Sequence, residues 1–119
     1  MSTKEIAVRL VQLCRKGDFD AAQKELFADN AVSIEPYASP GFEKETKGLK
    51  ALQQKSERWN GLVEQVHSIM VSEPLIAGNA FVCTLDMRVT VKERGQINIS
   101  ELCVYEIKEG KIVSEQFFM

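Results

Sequence analysis

The chain has 119 residues, 45% apolar and 27% charged, with a formal net charge of −2. That is enough chain for one domain, residues 1–119, to bury a core without staples. The charge balance, with no basic cluster among aromatics, argues against nucleic acid; no apolar run approaches the roughly 20 residues that cross a bilayer.

The opening "MSTKEIAVRL" lacks the apolar stretch of a secretion signal. Cys14, Cys83 and Cys103 are odd in number, widely spaced and without a CxxC. They read as reduced core thiols of a cytoplasmic protein. One histidine and scattered cysteines supply too few ligands for zinc. No cofactor or metal is expected, and no Walker loop, GxGxxG or nucleophile elbow occurs.

"STKE" (2–5) has capping-box spacing, and Ile6, Ala7, Leu10, Val11, Leu13 and Cys14 then recur with a helical period up to Gly17. Asp18 can cap a second short helix that presents Phe19, Ala22 and Leu26 on one face. A short strand is expected near 31–35, followed by a loop over 36–47 that holds two prolines and a glycine. Leu49, Leu52 and Trp59 mark a third helix ending near Gly61. Residues 62–119 are rich in β-branched and aromatic types, with turn signals at Pro74–Asn79, Glu93–Gly95 and Glu109–Gly110. They predict a four-strand meander. Helices first and antiparallel strands after make an α+β fold.

A three-residue loop Glu93-Arg94-Gly95 would pair Val91 with Ile97, Val89 with Ile99, Met87 with Glu101, Leu85 with Cys103, Cys83 with Tyr105 and Phe81 with Ile107. One face is then apolar almost throughout, with Glu101 its only charge, and the other holds Thr84, Asp86, Arg88, Thr90, Asn98 and Ser100. A one-residue slip would mix the faces, so burial selects this register. An unpaired buried carboxylate has a raised pKa and can donate a proton. Otherwise Glu101 sits at the wet end of the sheet or pairs with an arginine or tyrosine.

Glu35 ends a strand directly before Pro36, which stops further ladder bonds. It is either a solvated charge or an acid aimed into a pocket. Tyr105 shares the predicted face of Glu101, and Trp59 reads as core or pocket wall. Asp86 is expected to form a surface pair with Arg88. His67 lies on a strand whose parity is inconsistent, because Val63, Ile69 and Val71 alternate with it but Val66 and Met70 do not. In the last strand a KEG loop would turn Glu115 and Phe117 inward, and an EG turn Gln116 and Phe118.

"CRKGDFDAAQKELFADNAVSIEP", then a loop and a helix, then a meander ending "EGKIVSEQFF", resembles the SnoaL-like branch of the nuclear-transport-factor-2-like superfamily, with ketosteroid isomerases and scytalone dehydratases among its relatives. The resemblance spans nearly the whole chain and implies a cone-shaped α+β barrel, three helices packed on a strongly curved, mostly antiparallel sheet. Against the ketosteroid isomerases, Glu35 stands where the general base would be. The resemblance places their first-helix tyrosine at Leu10 and their protonated aspartate at or near Cys103, so that pair of oxygen-holding donors is missing. By residue type, His67 and Asp86 alone could stand for the histidine–aspartate pair of the SnoaL cyclase.

The expectation is a pocket for a small apolar or polyketide-like molecule. Glu35 and Glu101 would be its acid–base pair and Tyr105, Trp59, Met87, Cys103 and Phe117 would line it. The chemistry would be isomerisation, cyclisation or dehydration of a ketone-like substrate, which needs only a positioned acid and base. The alternative is a non-catalytic binding or association module. In either case a homodimer would form through the outer sheet face, where Val82, Leu102 and Val104 interrupt the polar residues.

Overall fold

The computed structural model describes all residues, 1–119. Helix α1 (Thr3–Arg15) starts at the expected capping box: the Ser2 hydroxyl accepts from the Glu5 N–H, and the Glu5 carboxylate accepts from the Ser2 N–H. The six residues of the expected apolar stripe are all buried, and Val8, off that stripe, is exposed. Gly17 adopts a φ of 77°, and α2 (Phe19–Leu26) follows at once. Asp18 occupies its N-cap, but its side chain makes no capping hydrogen bond. Helix α3 spans Leu49–Leu62 and buries Leu52.

The strands are β1 (Phe27–Ile34), β2 (Glu45–Lys47), β3 (Val63–Val71), β4 (Leu75–Ala77), β5 (Ala80–Val91), β6 (Gly95–Lys108) and β7 (Lys111–Phe118). They form one sheet in the order β2-β1-β7-β6-β5-β3, with β4 also on β5. All pairings are antiparallel except β1 with β7. The fold is therefore the expected α+β architecture, three helices on a curved sheet, but the sheet is open rather than closed into a barrel. The first strand starts earlier than expected, and the supposed loop 36–47 contributes β2. The edge strand opposite is divided into β3 and β4 at Ser72-Glu73-Pro74, where proline has no N–H to give to a ladder.

The β5–β6 hairpin keeps the expected faces but not the expected partners. Its loop is Lys92-Glu93-Arg94, one position earlier, and both Glu93 (φ 67°) and Gly95 (φ 74°) are left-handed. Each partner moves by two residues, so Met87 faces Ile99, Leu85 faces Glu101, Cys83 faces Cys103 and Phe81 faces Tyr105. A shift of two leaves every side chain on the same side. Phe81, Cys83, Leu85, Met87, Val89 and Val91 are all buried on the concave side, where the helices pack.

Register shifts in β7 and β3 explain the other parity problems. Glu109 and Gly110 form the two-residue β6–β7 turn, both left-handed as a type I′ turn requires. An EG turn alone would send Glu115 outward. Glu106 faces Ser114 while Ile107 faces Ile112, so Val113 is the extra residue that restores Glu115 and Phe117 to the concave side. In β3 the register slips between Val63 and Gln65 and again between Val66 and Ser68, which breaks the alternation around His67.

Candidate functional site

The register lays out the concave face in rows. Ser33 on β1 lies beside Glu115 on β7, which faces Tyr105 on β6, which faces Phe81 on β5. The next row is Phe117, Cys103 and Cys83, and the one beyond it is Glu101, Leu85 and Val71. Glu35 lies two residues past Ser33, just beyond the end of β1. Its N–H donates to the Lys44 carbonyl at 2.7 Å, which holds the chain at the turn into Pro36. Tyr105 is buried and stacks on Phe81, with ring centroids 4.8 Å apart.

Lys55 reaches these rows from α3. It lies three residues after Leu52 and four before Trp59, on the same helical stripe. Its ammonium stands 2.6 Å from Glu35 Oε1 and donates to Ser33 Oγ at 3.2 Å. The Ser33 hydroxyl donates in turn to Glu115 Oε1 at 2.8 Å. One cation and three carboxylates thus share one end of the concave face, in a continuous chain from Glu35 through Lys55 and Ser33 to Glu115. The Lys55 and Glu35 side chains keep only 15% and 24% of their accessible surface. Glu115 is buried, whereas Glu101 is half-buried and has no hydrogen bond or ion pair to the protein.

Electrostatics follow from this enclosure. Burial raises the Glu101 pKa from an ordinary 4.5 to about 7; the negative charges of Glu35 and Glu115 add to the rise and Lys55 opposes it. Burial likewise lifts Glu115 to about 7, against the Ser33 hydrogen bond and Lys55. Both carboxyls are therefore poised between their two forms near neutral pH, the condition for a general acid or base. The Tyr105 hydroxyl is pushed up by burial, and the Cys103 thiol by its contact with Cys83 and then by burial. Gln23 Oε1 is the one buried side-chain polar atom without a partner.

Glu35, Glu101, Tyr105, Cys103, Phe117 and Met87 all lie on the concave side. Met87 is opposite Ile99, one row past Glu101, rather than opposite Glu101 itself. Trp59 is half-buried against the core, one turn along α3 from Lys55. His67 and Asp86 do not belong to this group. His67 Nε2 lies 2.6 Å from Thr90 Oγ1 on the outer face, and both His67 and Asp86 are exposed. The expected Asp86–Arg88 pair is absent from the four ion pairs of the molecule. The acids are not arranged to hold a metal ion. Two clefts of about 190 and 230 Å3 lie elsewhere, one beside Lys108 and Lys111 and one between α1 and Glu73-Pro74.

Lys55 and Ser33 were not apparent from sequence, although each had a signal. Lys55 interrupts the apolar stripe Leu49, Leu52, Trp59, and a charge there is either misplaced or paired. Ser33 shares the parity of Ala31 and Glu35, so an inward Glu35 implies an inward serine.

The chain belongs to the SnoaL-like domain family, whose model matches residues 1–119. A solved Mesorhizobium loti protein, described by its likeness to SnoaL-like polyketide cyclases, is 32% identical with a TM-score of 0.92, and the match covers 100% of both chains. An NTF2-like protein of unknown function from Burkholderia pseudomallei is 16% identical with a TM-score of 0.81, over 100% of this chain and 92% of that one. A Catenulispora acidiphila protein of ketosteroid isomerase-like fold, solved with trimethylamine, is 15% identical with a TM-score of 0.73, over 97% and 85% of the two chains. No curated protein matches the chain. The distant likenesses establish the fold, which in such superfamilies serves many activities.

Proposed function

We propose that this protein binds a small, mostly apolar, ketone-like or polyketide-like molecule on its concave face and performs cofactor-independent acid–base chemistry on it, of the isomerase, cyclase or dehydratase type. Glu35 is the base, and Glu101 is the proton donor or orienter. Tyr105, Trp59, Met87, Cys103 and Phe117 form the surrounding wall. The observation that carries this reading is Glu101, a half-buried carboxyl on the same concave end as the Glu35–Lys55 pair, with no partner in the protein and a pKa of about 7. A solvated surface acid has no reason to be lifted so far.

The test is α-proton exchange of a panel of cyclic ketones in heavy water, followed by NMR. The protein accelerates exchange of at least one of them. Glu35→Gln lowers that acceleration by roughly a hundredfold or more, and Glu101→Gln lowers it less. Equal rates in Glu35→Gln and the unaltered protein would remove Glu35 as the base.

A second, compatible reading rests on the outer face. Leu75, Leu102 and Phe118 are 74%, 40% and 48% exposed there, and Leu102 pairs directly with Phe118. Exposed apolar residues in adjoining rows suit a homodimer contact. Sedimentation of Leu102→Glu should then show a smaller species than the unaltered protein. The three free buried thiols suit a cytoplasmic setting.

A further inference from the structure

We infer that Lys55 is a catalytic residue whose ammonium holds the carbonyl oxygen of an enolisable carbonyl ligand while Glu35 takes the adjacent α-proton. The inference rests on the reading of Glu35 as the base and adds the group that stabilises the charge Glu35 creates.

An ammonium has three donors. Lys55 donates one hydrogen bond, to Ser33, and stands in ion-pair contact with Glu35, and it makes no other hydrogen bond or ion pair in the protein. The side chain keeps 15% of its surface, so it is not sealed from solvent. Lys55 also acts electrostatically on Glu101, so one cation serves both candidate acid–base residues. The two positions from which the family resemblance would supply oxygen-holding donors cannot do so here. Leu10 has no donor and is 2% exposed, and Cys103 is a weak donor, 2% exposed, packed on Cys83. Lys55 supplies the charged donor of that cluster, beside the neutral hydroxyls of Ser33 and Tyr105.

The geometry fits a two-point grip. Nζ and Glu35 Oε1 are 2.6 Å apart, so they meet neighbouring atoms of one ligand, an oxygen and the hydrogen on the carbon next to its carbonyl. Glu35 accepts that proton. The C–H electron pair becomes the new C=C bond, and the carbonyl π pair moves onto oxygen, whose negative charge Lys55 then holds. Return of the proton from Glu35 to the same or to a conjugated carbon completes exchange or isomerisation, with no oxidant or reductant consumed. A preorganised cation beside a developing oxyanion stabilises the transition state more than the ground state.

A purely structural Lys55, present only to neutralise the acids around it, would not select an ionised ligand. The experiment therefore uses a nitrophenol whose phenolate absorbs in the visible and mimics an enolate but offers no α-proton. Binding is followed below the free phenol's pKa. The unaltered protein and Lys55→Arg are expected to bind the probe in its ionised form. Lys55→Met and Lys55→Gln are expected to lose roughly ten- to a hundredfold in affinity for that form. Thermal melts at the same pH confirm which variants are folded, and Lys55→Arg supplies the folded comparison. Failure of the unaltered protein to bind phenolate, or undiminished phenolate binding by a folded Lys55→Met or Lys55→Gln variant, overturns the inference. Ketone exchange separates it from the parent reading. Exchange abolished by Glu35→Gln with phenolate binding independent of Lys55 leaves Glu35 the base without this partner; Lys55-dependent phenolate binding without ketone exchange removes the base and keeps the anion-holding lysine.

Discussion

The two faces of strands β5 and β6 use the same alternation in opposite ways. On the outer face Asp86, Arg88 and Ser100 are exposed, and water solvates their polar groups at almost no cost. On the concave face Phe81, Cys83, Leu85 and Met87 form the floor, and the two acids nearest them, Glu101 and Glu115, are held far from their ordinary protonation range. A carboxylate is thus neutral to stability on one side and expensive on the other. Acids retained where they destabilise the fold are better explained by what they do to a ligand than by packing.

The largest effect tests the floor. Phe81 is 1% exposed and stacked on Tyr105, in the same cross-strand row as Glu115. Phe81→Ala should lower unfolding stability by about 3–5 kcal/mol, measured by urea denaturation. The next tests the acids. The folded pKa of Glu115 lies near 7 against 4.5 unfolded, so between those values the folded state binds a proton that the unfolded state has released. Stability on this account is fullest below about 4.5, falls as pH rises towards 7 and levels off above it, with a span on the order of 3 kcal/mol. Glu115→Gln keeps an oxygen for the Ser33 hydroxyl and removes the ionisation. It should stabilise the protein at pH 8 by about 1–3 kcal/mol and change little at pH 4.5. Equal effects at both pH values would mean that Glu115 is not held neutral by the fold.

These contrasts also show what could be read in the residues and what could not. Alternation assigned the faces of β5 and β6 correctly because burying one set of side chains strongly favours one parity. It could not assign partners, since a shift of two conserves parity; the left-handed Glu93, a conformation that Glu seldom adopts, set the loop one position earlier. Cys83 against Cys103 followed from that shift. Glu115 depended on the bulge at Val113, an insertion that periodicity alone does not reveal. Glu35 and Glu101 were legible as isolated acids next to apolar runs. Their common environment was not, because Lys55 reaches it from a different element, across a contact that local pattern does not encode.

The smallest expected effect sets the baseline for the outer face. His67 Nε2 and Thr90 Oγ1 are 2.6 Å apart, a short contact that invites a functional reading of the molecule's single histidine. It is exposed, however, and water can replace either partner when the other is lost. Thr90→Val removes the hydroxyl and preserves the β-branched shape that suits a strand. Its effect on stability should stay within about 0.5 kcal/mol, the range of surface substitutions that leave no buried group unpaired. Ketone exchange should be unchanged, because Thr90 lies on the face opposite Glu35 and Lys55. A loss of exchange in Thr90→Val would mean that the outer face takes part in the chemistry, and the division of labour between the two faces would fail at its simplest point.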